Sequence, residues 1–212
     1  LDLCSNIDQK VEALEFCVKL LSKDVEFRNE YLQALIEKNE NRETILKTFN
    51  ECFDTLDEKE CLPIWKLALD WSLENYPEKI EEIFEAAFVR DTSISAPMKS
   101  YYLEYVCKIK SVKEMRVAFE RLSNLKPNSW DFYQTYLRLE DNSPQRDEQK
   151  MRMCFEHAIF EFGSCNVDVW CDYVNFEVQK DPVLSSQVYN RALKSLSNST
   201  LVEEFVKRNL SK

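Results

Sequence analysis

The chain has 212 residues, one glycine, one histidine, eight cysteines and a formal net charge of −10. A composition almost without glycine argues against phosphate-cradling loops and against most all-β folds, which need residues free to adopt positive φ. The acidity argues against a chain that binds nucleic-acid phosphates over its whole surface. Leu, Glu, Lys, Ala and Phe dominate instead, as suits helices.

The predicted elements follow in chain order. Residues 8–22 read as an unpaired helix carrying Phe16. Helix pairs are predicted over 24–56, 60–91, 96–126, 128–163 and 166–197, within one domain over 1–212. A last helix over 200–210 places Leu201, Phe205 and Val206 on one side and charges elsewhere, as a cap on a stack should. The prolines punctuate this series: Ser143-Pro144 and Asp181-Pro182 read as an N-cap followed by the first helical residue, and Ser111 to Glu114 matches a capping box.

The pairs repeat. Phe49, Phe84, Phe119, Phe155 and Tyr189 stand 35, 35, 36 and 34 residues apart, with Phe16 a weaker member upstream. Three residues after each ring comes Cys52, Ala87, Leu122, Ala158 or Ala192, and four of these five are small. A second ladder runs between the rungs. Trp170-x-x-Tyr173-x-x-Phe176-Glu177 aligns with Tyr133-x-x-Tyr136-x-x-Leu139-Glu140, with Tyr102-x-x-Tyr105 and with Trp65-x-x-Ala68-x-x-Trp71. Both spacings put the residues on one helical face. Each unit is therefore an A helix with a W-x-x-Y-x-x-F-E face and a B helix with a Y-x-R-A-L face. Neither buries its apolar face alone, so the expected architecture is an all-α, right-handed solenoid of stacked helix pairs. The small residues leave room where helices cross closely.

The period alone also fits tetratricopeptide repeats, but those carry a glycine in the A helix and this chain has only Gly163. The W-x-x-Y-x-x-F-E helix followed by Y-x-R-A-L resembles the HAT (half-a-tetratricopeptide) repeat family. Within it, the runs EEIFEAAFV, YYLEYVCKIKSVKEMRVAFERLSNLKP, FEHAIFEFGSCNVDVWCDYVNFE and CLPIWKLALDWS are similar to the C-terminal part of one nucleolar member, over roughly residues 10–197. The resemblance implies a non-catalytic scaffold in the UTP-B subcomplex of the small-subunit processome. Such a scaffold serves pre-rRNA processing toward 18S rRNA in the nucleolus, with WD-repeat propeller subunits as partners and indirect association with pre-rRNA and small nucleolar RNA. The alternatives are a HAT scaffold of splicing or of 3′-end processing, and direct RNA binding through a basic strip at Lys108, Lys110, Lys113 and Arg116.

The residues singled out read as structural. Trp65, Phe84, Ala87, Tyr102, Tyr105, Phe119, Tyr133, Tyr136, Phe155, Ala158, Trp170, Tyr173, Tyr189 and Ala192 are core positions of the repeat rather than base-stacking platforms. Glu140 and Glu177 are expected to make structural hydrogen bonds or ion pairs within or between repeats. His157 occupies the place of Arg121 and Arg191 and has no partner set for catalysis. Trp71 and Trp130 lie slightly off the ladder and become partner-binding anchors if exposed. No catalytic, cofactor or metal site is expected: there is no C-x-x-C pair, no H-E-x-x-H and no Walker loop. Cysteines at apolar helical positions suit a reducing compartment, here the nucleus and nucleolus. No apolar run approaches a membrane span, and no signal peptide is visible. The start at Leu1 rather than Met is expected of a C-terminal fragment of a longer protein.

Overall fold

The computed structural model describes residues 6–178 and 180–210. Cys4 and the outermost ends of the expected 1–212 domain lie outside the described residues. Among the described residues there are twelve α-helices and no strand: α1 Ile7–Leu20, α2 Val25–Glu37, α3 Arg42–Thr55, α4 Leu62–Asn75, α5 Ile80–Phe88, α6 Thr92–Ile109, α7 Val112–Ser123, α8 Trp130–Asp141, α9 Glu148–Phe162, α10 Val167–Val178, α11 Pro182–Ser195 and α12 Ser199–Leu210. The fold is an all-α array of helical repeats. By its contacts the chain forms two compact units, residues 1–99 and 100–212, and α6 contributes residues to both.

Several helix starts are set by side chains that satisfy the free N–H groups of a first turn. Asp24 accepts from Phe27 N, Ser111 from Glu114 N and Ser129 from Phe132 N. Asp181 accepts from the N–H groups of Val183 and Leu184, with Pro182 the first residue of α11. Two prolines depart from the punctuation reading. Pro144 sits in a turn, and α9 begins at Glu148 because Asp147 accepts from the N–H groups of both Gln149 and Lys150. Pro97 lies inside α6, which starts at Thr92 rather than near 96. Asp91 provides this earlier start by accepting from Ser93 N.

In the first unit, α1 packs on α2, and α4 meets α2, α3 and α5. Phe53 stacks on Trp65 with centroids 3.8 Å apart, and Phe49 stands 5.9 Å from Trp71. Phe16 does not join this core: its ring is 63 % exposed, and α1 packs instead through Val11, Leu14 and Val18. Arg90 closes the end of the unit. It donates to the Phe53 carbonyl and to Glu58, and its guanidinium lies over the Trp65 ring, while Glu58 accepts from Asp91 N.

In the second unit α8 packs on α9, and α10 meets α9, α11 and α12. The two sequence ladders interlock across repeats. Phe119 of α7 stacks on Tyr136 of α8 at 3.9 Å, and Phe155 of α9 on Tyr173 of α10 at 4.6 Å with planes only 4° apart. Tyr189 of α11 meets Phe205 of α12 at 5.0 Å, so α12 takes the place of a further A helix at the end of the stack. Offset-stacked pairs of this kind add about 0.5–1.5 kcal/mol beyond the area they bury.

Cys52, Ala87, Leu122, Ala158 and Ala192 are all fully buried. Gly163 follows α9, and its carbonyl accepts from Trp170 Nε1 at 2.7 Å. A Cβ at this position would stand 2.5 Å from the Ile159 carbonyl oxygen and 3.1 Å from the Trp170 ring. The glycine is thus set by close approach of the Ile159 carbonyl first and of the indole second, rather than by its backbone angles. Ala158→Phe and Ala192→Phe are each expected to lower stability by about 1–3 kcal/mol through overpacking, and Gly163→Ala by a similar amount. Urea unfolding of the three variants checks this; an unchanged midpoint for Gly163→Ala would show that the Ile159 carbonyl and the indole can both shift without cost.

Candidate interaction surface and the clamps behind it

Two carboxylates at the ends of A-helix motifs, Glu140 and Glu177, are completely buried. A charged group so placed is tolerable only if paired and hydrogen-bonded. Each is held by an arginine on the preceding B helix. Arg152 on α9 donates through Nε to one Glu177 oxygen at 2.7 Å and through Nη2 to the other at 3.0 Å. Arg116 on α7 grips Glu140 in the same bidentate way, with Nε to oxygen 2.9 Å. Glu140 also accepts from Asp147 N, and Arg116 donates to the Gln145 carbonyl. Both arginines stand three residues before the B-helix aromatic, so clamp and ring stack lie on adjacent turns of one helix face. The clamp also removes Arg116 from the basic strip, because its guanidinium is committed to Glu140 rather than open to a phosphate.

Within a repeat, the first aromatic of the A helix is covered by an arginine. Arg191 lies over Trp170 and makes a bidentate pair with Glu156; Arg121 lies over Tyr102; Arg90 lies over Trp65. Each such cation–π contact is worth about 0.5–1 kcal/mol at a partly exposed site. The repeat of α8 and α9 differs. His157 stands in the arginine place and is exposed, and Tyr133 is instead held through its hydroxyl, which donates to Glu161. Glu161 also accepts from Lys126 and Asn128.

The remaining motif residues are placed as follows. Trp65, Phe84, Tyr102, Phe119, Tyr133, Tyr136, Phe155, Trp170 and Tyr173 are buried, while Tyr105 and Tyr189 are half-buried. Trp71 is 6 % exposed and faces Phe49, so it offers no face to a partner. Trp130 is half-buried, and its Nε1 is enclosed without an acceptor. Burial pushes the Cys52 thiol up to about 11 and the Cys61 thiol up to about 12, away from thiolate chemistry. Among the described residues, no group of three or more His, Cys, Asp or Glu could hold a metal ion, and no helix is long and apolar enough to cross a membrane.

Sequence reasoning missed the surface left over from this packing. Val117 on α7 and Met153 on α9 are exposed, each two residues before its B-helix aromatic, and Phe160 lies seven residues on from Met153 with its side chain 90 % exposed. These side chains project from B helices whose other faces are buried. The signal was available: they occupy the i+7-related outer face that the core ladder leaves over.

Removing one member of a clamp leaves a buried charge. Arg152→Met is expected to destabilise by about 3–5 kcal/mol, whereas Arg152→Met with Glu177→Leu recovers most of that loss. Urea unfolding of the two single variants and the double variant tests this, and strict additivity would mean that the pair is not coupled. Acid acts on the more exposed pairs. Hydrogen bonding to Arg191, outweighing burial, holds the Glu156 carboxyl below its ordinary value of 4.5. Burial alone would raise Glu161, but hydrogen bonds from Lys126, Tyr133 and Asn128 outweigh it and hold it low as well. The unfolded chain therefore binds more protons than the folded one below that ordinary value, and stability present above it drains as pH falls. Glu156→Gln and Glu161→Gln should each show a smaller fall in Tm between about pH 6 and about pH 3 than the parent chain.

The chain matches the family model for the C-terminal region of U3 small nucleolar RNA-associated protein 6 over residues 2–196. It is 31 % identical over 180 residues to a human protein described as a U3 small nucleolar RNA-associated protein 6 homolog, covering 82 % of this chain and 30 % of that protein. A mouse protein of the same description is 28 % identical over 208 residues, covering 94 % of this chain and 34 % of its own length. The chain thus spans about a third of the length of the curated relatives it matches. With the match covering nearly every residue from the first helix to the last B helix, the chain belongs to the U3 small nucleolar RNA-associated protein 6 family, in the part that corresponds to that family's C-terminal region.

Proposed function

We propose that the chain is a non-catalytic protein–protein scaffold of ribosome biogenesis. It acts in the nucleolus as one HAT-repeat domain of the UTP-B part of the small-subunit processome. WD-repeat propeller subunits are its partners, and its association with U3 small nucleolar RNA and pre-rRNA is indirect. The observation that carries this reading is membership of the U3 small nucleolar RNA-associated protein 6 family along nearly the whole chain. The physical chemistry supports it. The polar residues that recur with the repeat, Arg116, Glu140, Arg152, Glu177 and Arg191, are occupied in holding helices to helices. What remains for a partner is the outer surface of a stacked array, where position rather than reactivity is the product. The buried thiols are held protonated, and His157 stands exposed on α9, away from any triad-like arrangement among the described residues.

The experiment is affinity purification of the tagged chain from nucleolated cells, with and without ribonuclease. The expected outcome is recovery of WD-repeat nucleolar proteins in both samples, with U3 small nucleolar RNA lost only after digestion. Recovery of splicing or 3′-end-processing proteins in their place overturns the ribosomal assignment. Partners that vanish with ribonuclease overturn the protein–protein one.

A further inference from the structure

The junction between α3 and α4 lacks the clamp found in the second unit. Leu46 stands three residues before Phe49, where α7 and α9 carry Arg116 and Arg152, and Ser72 stands where α8 and α10 carry Glu140 and Glu177. Leu46 there forms part of the lining of an open cleft of about 470 Å³. The side chains of α3 and α5 supply most of the lining, with Trp65 of α4, Tyr76, Lys79 and Arg90 completing it. The size falls within the range of about 300–1,000 Å³ typical of ligand sites.

Two features of the cleft choose its occupant. Its cations are already paired. Lys79 donates to both oxygens of Glu82 at 2.8 Å, and Arg90 is tied to Glu58 and to the Phe53 carbonyl. Asp54 and Glu82 also stand in the lining, so its two acids balance its two cations and a phosphate would meet no net positive charge. Between these pairs the lining is apolar and aromatic: Phe53, Trp65, Ile83 and Ala86. The second feature is a set of polar groups with no internal duty. Among the described residues, neither the Asn50 carboxamide nor the Tyr76 hydroxyl has a side-chain hydrogen-bond partner. A side-chain amide carries donors and an acceptor at the spacing of a peptide group.

We propose that this cleft is a docking site for a short extended segment of a partner protein. The segment inserts one uncharged, apolar side chain against Phe53 and Ile83 and pairs its backbone with Asn50. This rests on the scaffold reading above and names the contact by which one partner is held. A neutral rim of internal ion pairs matches a neutral anchor, and peptide backbone meets the carboxamide that the fold leaves unused.

The test is selection of a phage-displayed random dodecapeptide library on the intact chain, with fluorescence polarisation of synthetic versions of the enriched peptides. Ala86→Trp fills the cleft and Asn50→Ala removes the amide; both positions are exposed, so thermal melting should be unchanged. The expected result is enrichment of peptides with a shared apolar residue and no charged consensus, whose affinity falls at least roughly tenfold with either variant. No enrichment, a charged consensus, or affinity untouched by both variants overturns the proposal. So does an oligouridine probe that binds the parent chain and is lost in Ala86→Trp, which would assign the cleft to nucleic acid. If affinity purification with Ala86→Trp recovers the same nucleolar proteins as the parent chain, the cleft proposal fails while the scaffold reading stands. If neither chain recovers them, the scaffold reading fails.

Discussion

The second unit depends on one constraint, the burial of an ionised carboxylate at the end of an A helix. An unpaired carboxylate in that position costs several kcal/mol, so Glu140 and Glu177 dictate where the neighbouring B helix must lie. The partner is arginine, and this matters. A guanidinium fork engages both carboxylate oxygens only at one height and one rotation, whereas an ammonium would accept a range of positions. Once Arg152 is seated on Glu177, Phe155 is one helical turn away and its ring meets Tyr173 nearly parallel. The clamp fixes the register and the ring pair fills the space, so polar specificity and apolar burial reinforce each other at a single helix crossing.

The same economy governs contacts within a repeat. The first aromatic of an A helix needs a cover at its outer face, and arginine supplies it by lying flat while its charge stays near water. Where His157 replaces that arginine, the cover is lost and Tyr133 is secured by its hydroxyl instead. Phenylalanine at position 133 could not make this exchange.

Much of this was legible from periodicity. The helices, the two aromatic ladders and the small positions all follow from which residues recur on one face. Periodicity assigns a face but not a partner, so it could not say that Phe119 meets Tyr136 in the next repeat rather than a ring in its own. The offset of arginine before one aromatic and glutamate after the other was present in the sequence, yet its meaning required knowing that the two stand opposite each other. Local competition defeated other readings. Asp147 outcompeted Ser143 as a cap because its carboxylate reaches two N–H groups. Pro97 lies past the first turn of α6 because Asp91 starts the helix five residues before it. The need for Gly163 is not legible, since sequence alone does not reveal how closely the Ile159 carbonyl and the Trp170 ring approach it.

The first unit shows a comparable crossing made without the clamp. A clamp can be lost one residue at a time only through an intermediate that buries an unpaired charge, but loss of both partners together is close to neutral. Leu46 and Ser72 occupy the two clamp places, and neither carries a charge. The exchange is incomplete, because the Ser72 hydroxyl is buried without a hydrogen-bond partner, at a cost of about 1–3 kcal/mol. Ring packing is kept at this junction: Phe53 and Trp65 stack at 3.8 Å, beside 3.9 Å for Phe119 and Tyr136 and 4.6 Å for Phe155 and Tyr173 at the clamped ones. At the same crossing Leu46, in the arginine place, lines the cleft, so the opening presents an apolar side chain where the clamped junctions carry a guanidinium.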